Sequence, residues 1–519
     1  MIRVGIDVGG TNTDAVIIDG KRVVGAVKRP TTGDVTGGIR AALQALVAAH
    51  PGPARSVAAV MIGTTHFVNA VIQRRGLNRA AAVRLCLPAC ASLPPRVDWP
   101  PDLAAAADGG HYLLAGGHEY DGRVLEDPDE AAIATVARRI RSDGVDAVAV
   151  TAVFSPLTAA HEERAAAILR AEIPGLRVTL SSRIGRIGLL ERENVALLNA
   201  SLADLAERTA SAFLQALQDS GIEAPLYITR NDGTVAGVAA TQREPVFSFA
   251  SGPTNSMRGA AFLSGLEDCM VLDIGGTSSD VGCLTAGFPR EANNVVEVGG
   301  VRTLFRMPDL LSIALGGGTI VGAEGSSIGP ESVAHRLERE ARVFGGEVLT
   351  LTDVAVAAGL AEIGDRRRVA RLPGPLLRLV MDTVHARLAE AVDRMKTDAA
   401  DQPLLVVGGA AFLAPGRMDG ISEVKRIAHH GVANAVGAAT AQVSGEVDQV
   451  FRDMSRESML CEARAIACDR AVRAGALADT LTIVDLEDLP LAYLPGNSVR
   501  VRARAVGDID PASGPGDLQ

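Results

Sequence analysis

Aromatic side chains make up only 3% of the 519 residues, one Trp, four Tyr and 11 Phe, which argues against a base-stacking platform for single-stranded nucleic acid. Lysine occurs only as Lys21, Lys28, Lys396 and Lys425, and 61 acidic residues outnumber 51 basic ones for a net charge of −10. A chain without a cationic excess lacks what a phosphate backbone requires. No apolar run reaches the ~18 residues of a membrane span, and Met1 leads straight into IRVGIDV with no basic or apolar leader. The expectation is a cytoplasmic protein with neither a nucleic-acid nor a membrane partner. The six cysteines sit mostly in apolar segments, and no second Cys or His pair follows Cys86 and Cys90 at zinc-ligand spacing, which fits a reducing compartment. Neither G-x-x-x-x-G-K-[ST] nor G-x-G-x-x-G occurs, so the P-loop and dinucleotide signals are missing.

What is present is a repeat. Residues 7–14 read DVGGTNTD and residues 273–280 read DIGGTSSD, sharing Asp, Gly, Gly, Thr and Asp at matched positions. Their surroundings share a grammar too. Apolar Ile2–Ile6 precedes the first copy, and Ala15–Ile18, an Asp19-Gly20 turn and Val23–Val27 follow it. Met270–Leu272 precedes the second, and Val281–Leu284, an Ala286-Gly287 turn and Val295–Val298 follow. Each copy is expected to form a three-stranded antiparallel meander, not a strand-turn-helix. Between the copies, helical and strand-like segments alternate, and the long stretch Gly188–Ser220 reads as amphipathic helix. Residues 88–128 lack periodicity and read as a surface excursion, and residues 446–476 read as helical. Thr482–Val484 and Val499–Ala505 could form a closing hairpin before a tail from Asp508. The expected fold is α/β, divided into an N-terminal domain 1–185, a second domain 186–445, and a C-terminal segment 446–519.

A turn in which Gly-Gly lets the backbone approach closely, and hydroxyls and amides supply donors, suits polyphosphate oxygens. An Asp at the end of the preceding strand can hold Mg²⁺ or its water shell. Two such turns facing each other would let an acidic protein grip a nucleotide without a basic patch. Asp7 and Asp273 are therefore assigned to the metal. Gly9, Gly10, Thr11, Asn12, Thr13, Gly275, Gly276, Thr277, Ser278 and Ser279 are assigned to phosphate, and Asp14 and Asp280 join Asp7 and Asp273 as candidate catalytic carboxylates. VVGGAA (406–411) ends a strand on Gly408 and Gly409. Alone it is an ordinary strand-to-helix turn; after the second phosphate turn it reads as an adenosine site. Substrate contacts are assigned to Thr64, Thr65, His66 and Asn69 in GTTHFVNA and to Asn231 and Asp232 in TRNDGT, with ASGPTNS (250–256) read as a third strand-end turn. A lone His such as His66 is more often structural than catalytic, although strand ends are where α/β clefts open. Glu191 and Glu193 read as acids complementing a helix dipole.

Together these elements resemble the superfamily of actin, sugar and acetate kinases and heat-shock chaperone ATPases, which implies two ribonuclease-H-like domains around an ATP cleft. Within it, GIDVGGTNTDAV, IGTTHFVNAVIQRRG, the SGP of FASGPTNSMRGA, VLDIGGTSSDVG, IALGGGTI, IGPESV and LTDVAVAAGL resemble the hydantoinase/oxoprolinase family, specifically its A-type subunit, from about residue 3 to 440. ANAVGAATAQVSGEVDQV and PLAYLPGNSVRVRA resemble the close of a short form, and ITRNDGT departs from the MQSNGG-like turn of the family. The resemblance implies ATP- and Mg²⁺-dependent phosphorylation of a cyclic-amide carbonyl oxygen followed by ring opening, often with a separate hydrolytic partner subunit. Homo-oligomerisation is left open. The alternatives are a nucleotide-gated scaffold ATPase and a small-molecule kinase of the same superfamily.

Overall fold

The computed structural model describes residues 1–9, 12–30, 35–292, 295–492 and 497–512. Strand β1 (Ile2–Val8), β2 (Asn12–Asp19) and β3 (Arg22–Pro30) form the expected antiparallel meander, and β4 (Val57–Thr64) lies parallel to β1. The chain then builds a separate parallel sheet from β5 (Ala80–Leu87), β6 (Asp108–Ala115), β7 (Ala147–Ala152) and β8 (Arg177–Leu180), in the order β6-β5-β7-β8. It returns to the first sheet with β9 (Leu226–Thr229), parallel to β4, and β10 (Thr234–Gly237). The stretch 88–128 is thus not only an excursion: it holds the helix Pro101–Ala107 and edge strand β6. The stretch Gly188–Ser220 is two helices, Leu189–Ser201 and Ala203–Asp219, meeting at Leu202.

The second copy repeats the first sheet's plan. Strand β11 (Cys269–Ile274) pairs antiparallel with β12 (Ser279–Thr285), which pairs with β13 (Phe288–Pro289). The third strand falls earlier than expected, because Ala286 and Gly287 both take positive φ (50° and 75°) and reverse the chain in two residues. One further backbone hydrogen bond, from the Arg290 N–H to the Cys283 carbonyl at 2.8 Å, closes this short pairing. The predicted third strand is instead β14 (Val296–Val298), which pairs with β15 (Val301–Thr303) in a hairpin of its own. Strand β16 (Leu310–Ile313) adds to β12, and β17 (Thr319–Val321) pairs with β18 (Ile328–Ser332). Strands β19 (Gln402–Val407) and β20 (Ile421–Arg426) complete the repeat, both parallel to β11. The orders β3-β2-β1-β4-β9 and β13-β12-β11-β19-β20 are the same topology twice.

Residues 446–476 are not all helical. Strand β21 (Gln442–Phe451) lies beside β10, and only Arg456–Arg473 is helix. Strand β22 (Thr482–Pro490) and β23 (Val499–Gly507) form the expected hairpin and pair onto β21. The resulting nine-stranded sheet draws strands from 2–64, 226–237 and 442–507, so it crosses both positions, 185 and 445, at which the sequence was divided.

Two helices pack the repeats back to back. Ala435, Val436 and Ala439 of the helix Ala433–Thr440 bury Val16 and Ile18 of β2, while Met257 and Ala260 of the helix Ser251–Ser264 pack on Val271 of β11 and Leu405 of β19. They cross at glycines. A Cβ on Gly259 would lie 1.8 Å from the Ala433 carbonyl oxygen, and one on Gly437 would lie 1.8 Å from the Asn255 carbonyl oxygen. Neither backbone can recede, since the first helix is also seated on β1 at Gly5, where a Cβ would stand 2.0 Å from the Ala435 carbonyl.

Glu193 is no dipole complement. Its carboxylate is buried (1% exposed) in an ion pair with the fully buried Arg84 of β5, whose Nε donates at 2.8 Å. Substituting Gly437→Ala is expected to destabilise the chain by at least the ~1–3 kcal/mol of an overpacked core, read as a lower urea midpoint at unchanged slope. An unchanged midpoint would mean that the crossing has slack.

Candidate functional site

The two Gly-rich turns have one geometry. In the first, Asp7 sits directly across the strand pair from Asp14, and the Gly9 N–H donates to the Asn12 carbonyl at 3.0 Å. In the second, Asp273 faces Asp280, and the Gly275 N–H donates to the Ser278 carbonyl at 2.9 Å. In each repeat the first carboxylate leans over the neighbouring parallel strand, and a glycine there makes room. A Cβ on Gly63 would come within 2.7 Å of Asp7 Oδ1, and one on Gly408 within 2.3 Å of Asp273 Oδ1. Gly408 also needs its φ of +91°.

Between the turns lies a cavity of about 230 Å³. Its walls include Asp7, Gly9, Asn12 and Asp14 from the first repeat, and Asp273, Gly275, Gly276, Thr277, Ser278 and Asp280 with Gly408 and Gly409 from the second. Gly10 and Thr11 lie outside the described residues. Thr13 and Ser279 are fully buried and do not line the cavity; Ser279 Oγ donates to the Leu315 carbonyl at 2.6 Å.

The proposed substrate residues divide into two groups. Thr64, Thr65, His66 and Asn69 stand where β4 passes into the helix His66–Gln73. The Thr64 backbone is stitched to Ser251, whose Oγ accepts from its N–H (3.3 Å) and donates to its carbonyl (3.0 Å), and Asn69 Nδ2 donates to Thr65 Oγ1 at 3.2 Å. Burial, with Arg208 nearby, pushes the His66 pKa down, so the ring is neutral. Asn231 and Asp232 are elsewhere and committed. Asn231 Nδ2 donates to the carbonyls of Val246 (3.1 Å) and Arg306 (3.2 Å), and Oδ1 accepts from the Ala250 N–H (2.8 Å). Burial would raise the Asp232 carboxyl, but Arg504, Arg230 and Arg306 hold it well below the usual carboxylate range, and it accepts from Thr234. Neither lines the cavity, and Asn231 fixes the backbone leading into the helix Ser251–Ser264. ASGPTNS accordingly opens a helix and does not end a strand.

Four features of the cavity had no sequence assignment. Lys28 of β3 faces Asp14, with its Nζ 2.7 Å from Oδ1. Gly252, Pro253 and Ser256 bring the N-terminal end of a 14-residue helix to the wall, where unpaired N–H groups favour an anion. Asn434 Nδ2 donates to Asp7 Oδ2 at 2.7 Å, and the ring of His430 lies 3.2 Å from the Gly408 carbonyl.

The electrostatics are those of crowded, desolvated acids. Burial and then Asp14 push Asp7 up to about 7, against the hydrogen bond from Asn434. Burial also pushes Asp280 up to about 6, with Asp273 adding to the shift and Ser312 opposing it. Asp14 and Asp273 are raised as well, mainly by burial. Asp7 Oδ1 is buried with no hydrogen bond of good geometry, and the Asn255 side chain is its polar neighbour. A carboxylate oxygen so placed among like charges fits a hard divalent cation. Among the described residues no group of three or more His, Cys, Asp or Glu could form a dedicated metal cage. Mg²⁺ ordinarily keeps several waters and takes one or two carboxylates together with phosphate oxygens.

Because the Asp7 pKa is raised on folding, the folded chain holds a proton that the unfolded chain releases. The associated stability is complete below the unfolded value near 4 and is lost as pH rises through about 7. Without divalent cation, Asp7→Asn is expected to lose less thermal stability than the unaltered chain between pH 5 and pH 8. Parallel profiles of unfolding midpoint against pH would refute the buried, protonated carboxyl.

A family model described as Hydantoinase/oxoprolinase N-terminal region matches residues 3–173, and one described as Hydantoinase/oxoprolinase matches residues 192–364. The chain is 27% identical over 423 residues to the caprolactamase subunit alpha of Pseudomonas jessenii, which spans 75% of this chain and 58% of that protein. It is 26% identical over 254 residues to the acetophenone carboxylase gamma subunit of Aromatoleum aromaticum, 46% of this chain and 34% of that one. This chain therefore covers less than two thirds of either relative. In fold it is similar to the ATP-dependent caprolactamase from Pseudomonas jessenii (TM-score 0.77, 20% identity, 97% of this chain and 87% of that chain). It is similar also to nucleotide-free acetone carboxylase (TM-score 0.71, 18% identity, 99% and 88%). Among the described residues no helix is long and apolar enough to cross a membrane.

Proposed function

The chain belongs to the hydantoinase/oxoprolinase family, and from that premise we propose that it uses Mg-ATP to phosphorylate the carbonyl oxygen of a cyclic amide such as a hydantoin, 5-oxoproline or a related lactam. The observation that carries this reading is the pair of equivalent Asp hairpins facing one cavity, Asp7 with Asp14 and Asp273 with Asp280. The β- and γ-phosphates would sit between the turns, against Gly9, Asn12, Gly275, Gly276, Thr277 and Ser278. The helix N-terminus at Gly252 and the ammonium of Lys28 would complete their surroundings. Adenosine would lie against Gly408 and Gly409.

Asp7 and Asp273 would hold Mg²⁺, which supplies positive charge against the phosphate oxygens as negative charge builds on them. Asn434 keeps one Asp7 oxygen engaged, while the other leans over Gly63 of β4. Lys28, paired with Asp14, would supply a positive charge to the transferred group. Phosphoryl transfer depends mainly on positioning and charge neutralisation, and these residues do both.

In the transfer the amide oxygen bonds to the γ-phosphorus as the bond to the bridging oxygen of ADP breaks. The nitrogen lone pair stabilises the O-phosphorylated carbon. Water would then add to that carbon, the ring C–N bond would break as the nitrogen takes up a proton, leaving an acyl phosphate, and a second water would hydrolyse the acyl phosphate to the ring-opened acid and free phosphate. The acceptor would approach from Thr65, His66 and Asn69. Of these, Thr65 lies beside the wall residue Gly252, where an added Cβ would touch Thr65 Cγ2 at 3.3 Å. A neutral His66 could donate or accept a hydrogen bond without adding charge. The relatives include a caprolactamase subunit and an acetophenone carboxylase subunit, and caprolactam and acetophenone share a carbonyl group. Both curated relatives are named as subunits, which favours a partner subunit for the hydrolytic half.

The test is ATP turnover by the full chain with and without hydantoin, 5-oxoproline or caprolactam, with products analysed for ring-opened acid. Stimulated turnover is expected, with Asp273→Asn lowering it by about 100-fold or more. Basal hydrolysis that no amide stimulates would favour a scaffold ATPase, and a stable phosphorylated product would favour a kinase.

A further inference from the structure

Although the chain carries a net charge of −10, one crevice of about 340 Å³ presents five arginines, Arg183, Arg186, Arg306, Arg470 and Arg500, against two carboxylates, Glu446 and Asp448. It lies where the loop 182–187 after β8 meets β21, the helix Arg456–Arg473 and β23. None of its wall residues belongs to the cavity between the Asp hairpins.

Both carboxylates are already committed. Asp448 receives a bidentate pair from Arg500, with Nε donating at 2.6 Å, and Glu446 Oε2 lies 2.5 Å from Arg306 Nη1. The other three arginines are poorly compensated. Arg186, only 12% exposed, meets one carboxylate, Glu291, at 3.4 Å. That carboxylate is shared with Arg306, Arg502 and Arg504. Arg470 donates to the Glu446 backbone carbonyl at 2.6 Å, and Arg183 approaches Glu163 at only 3.8 Å. Burial, then the Arg502 guanidinium with Arg306 and Arg500 behind it, pulls the Arg186 pKa down to about 10, the response of a cation held among cations. Ile184, Ile187, Val450 and Phe247 supply apolar wall between the charges.

We infer that this crevice is a binding site for a small di- or trianion bearing carboxylate or phosphate groups, held by Arg186 at its base and by Arg183 and Arg470 at its rim. The forked guanidinium groups suit such oxyanions, since each can offer two parallel N–H donors to one carboxylate or phosphate. Arg306 comes from the segment between β15 and β16, and Arg470 and Arg500 from the C-terminal extension of the first sheet. A bound anion would therefore touch parts of the chain that the Asp hairpins do not join. The inference is independent of the nucleotide reading.

The test uses the full chain without nucleotide, titrated with orthophosphate, succinate and citrate at constant ionic strength and followed by calorimetry and by unfolding midpoint. Saturable binding of at least one probe is expected, weakened about tenfold or more by Arg186→Gln. Should removal of a buried guanidinium cost the fold, Arg470→Gln on the exposed rim carries the same expectation. Saturation by phosphate alone, or by succinate and citrate alone, supports the site and identifies the oxyanion. Lys28→Gln is expected to leave this binding in place. Non-saturating behaviour, insensitivity to both arginine substitutions, or loss in Lys28→Gln alone would overturn the inference, the last by moving the anion to the hairpin cavity.

Discussion

The site depends on a crossing of two helices. Ser251–Ser264 leads into the second repeat and Ala433–Thr440 leads back into the first sheet, and they touch backbone to backbone at Gly259 and Gly437. Small residues at a crossing let axes approach more closely than ordinary side chains permit. Because each helix is seated on its own sheet, that approach sets how far apart the hairpins stand. The same helices deliver groups to the site: Gly252, Pro253 and Ser256 from one, Asn434 from the other. Packing and chemistry are therefore one arrangement, and a side chain added at the crossing would move both walls of the cavity.

The carboxylates work against folding stability. Asp7, Asp14, Asp273 and Asp280 all have raised pKa values, mainly through burial. Lys28 compensates Asp14 directly, Asn434 and Asn255 give hydrogen bonds to Asp7, and Ser256 and Ser312 give one each to Asp273 and Asp280. A set of acids kept under such strain is a common mark of a functional site, since a purely structural role is met more cheaply by neutral residues. Asp232, by contrast, is equally buried but surrounded by arginines, and its pKa is lowered. Two buried aspartates thus differ in kind: one is stabilised in place and the other awaits a charge.

The hairpins were legible in the sequence because everything that defines them is local: an apolar strand, Asp-x-Gly-Gly, hydroxyls and a second Asp. Lys28 was not, although it lies only 14 residues from Asp14. Counting back from the Asp19-Gly20 turn would pair position 14 with position 27, but a register shift between Ile17 and Ile18 brings Lys28 opposite Asp14. One irregularity moves a charge to the other face of the strand. Asn434, 427 residues from Asp7, carried no local signal at all. Asn231 and Asp232 show the opposite limit: a polar turn after a strand looks like a cleft rim whether it faces solvent or, as at Asp232, a buried arginine cluster. Strand β21 did carry a signal, since its burial alternates from Gln442 through Val447, but the helical residues after Ser455 were read back through it.

The two anion-handling regions differ in a way that bears on what each can do. At the hairpins the side chains are mainly acids, so a polyphosphate arriving alone meets repulsion, and only backbone N–H groups, the Gly252 helix end and Lys28 favour it. On the proposed reading, affinity there would be conditional on a cation that neutralises Asp7 and Asp273, which would couple occupancy by the nucleotide to occupancy by the metal. Loss of the γ-phosphate would then remove part of what holds both, so a cavity that took the triphosphate would hold the diphosphate less firmly. The arginine crevice has no such condition, because its charge is built in and always present. A site that must turn over benefits from the first design, and a site that reports or retains an anion benefits from the second.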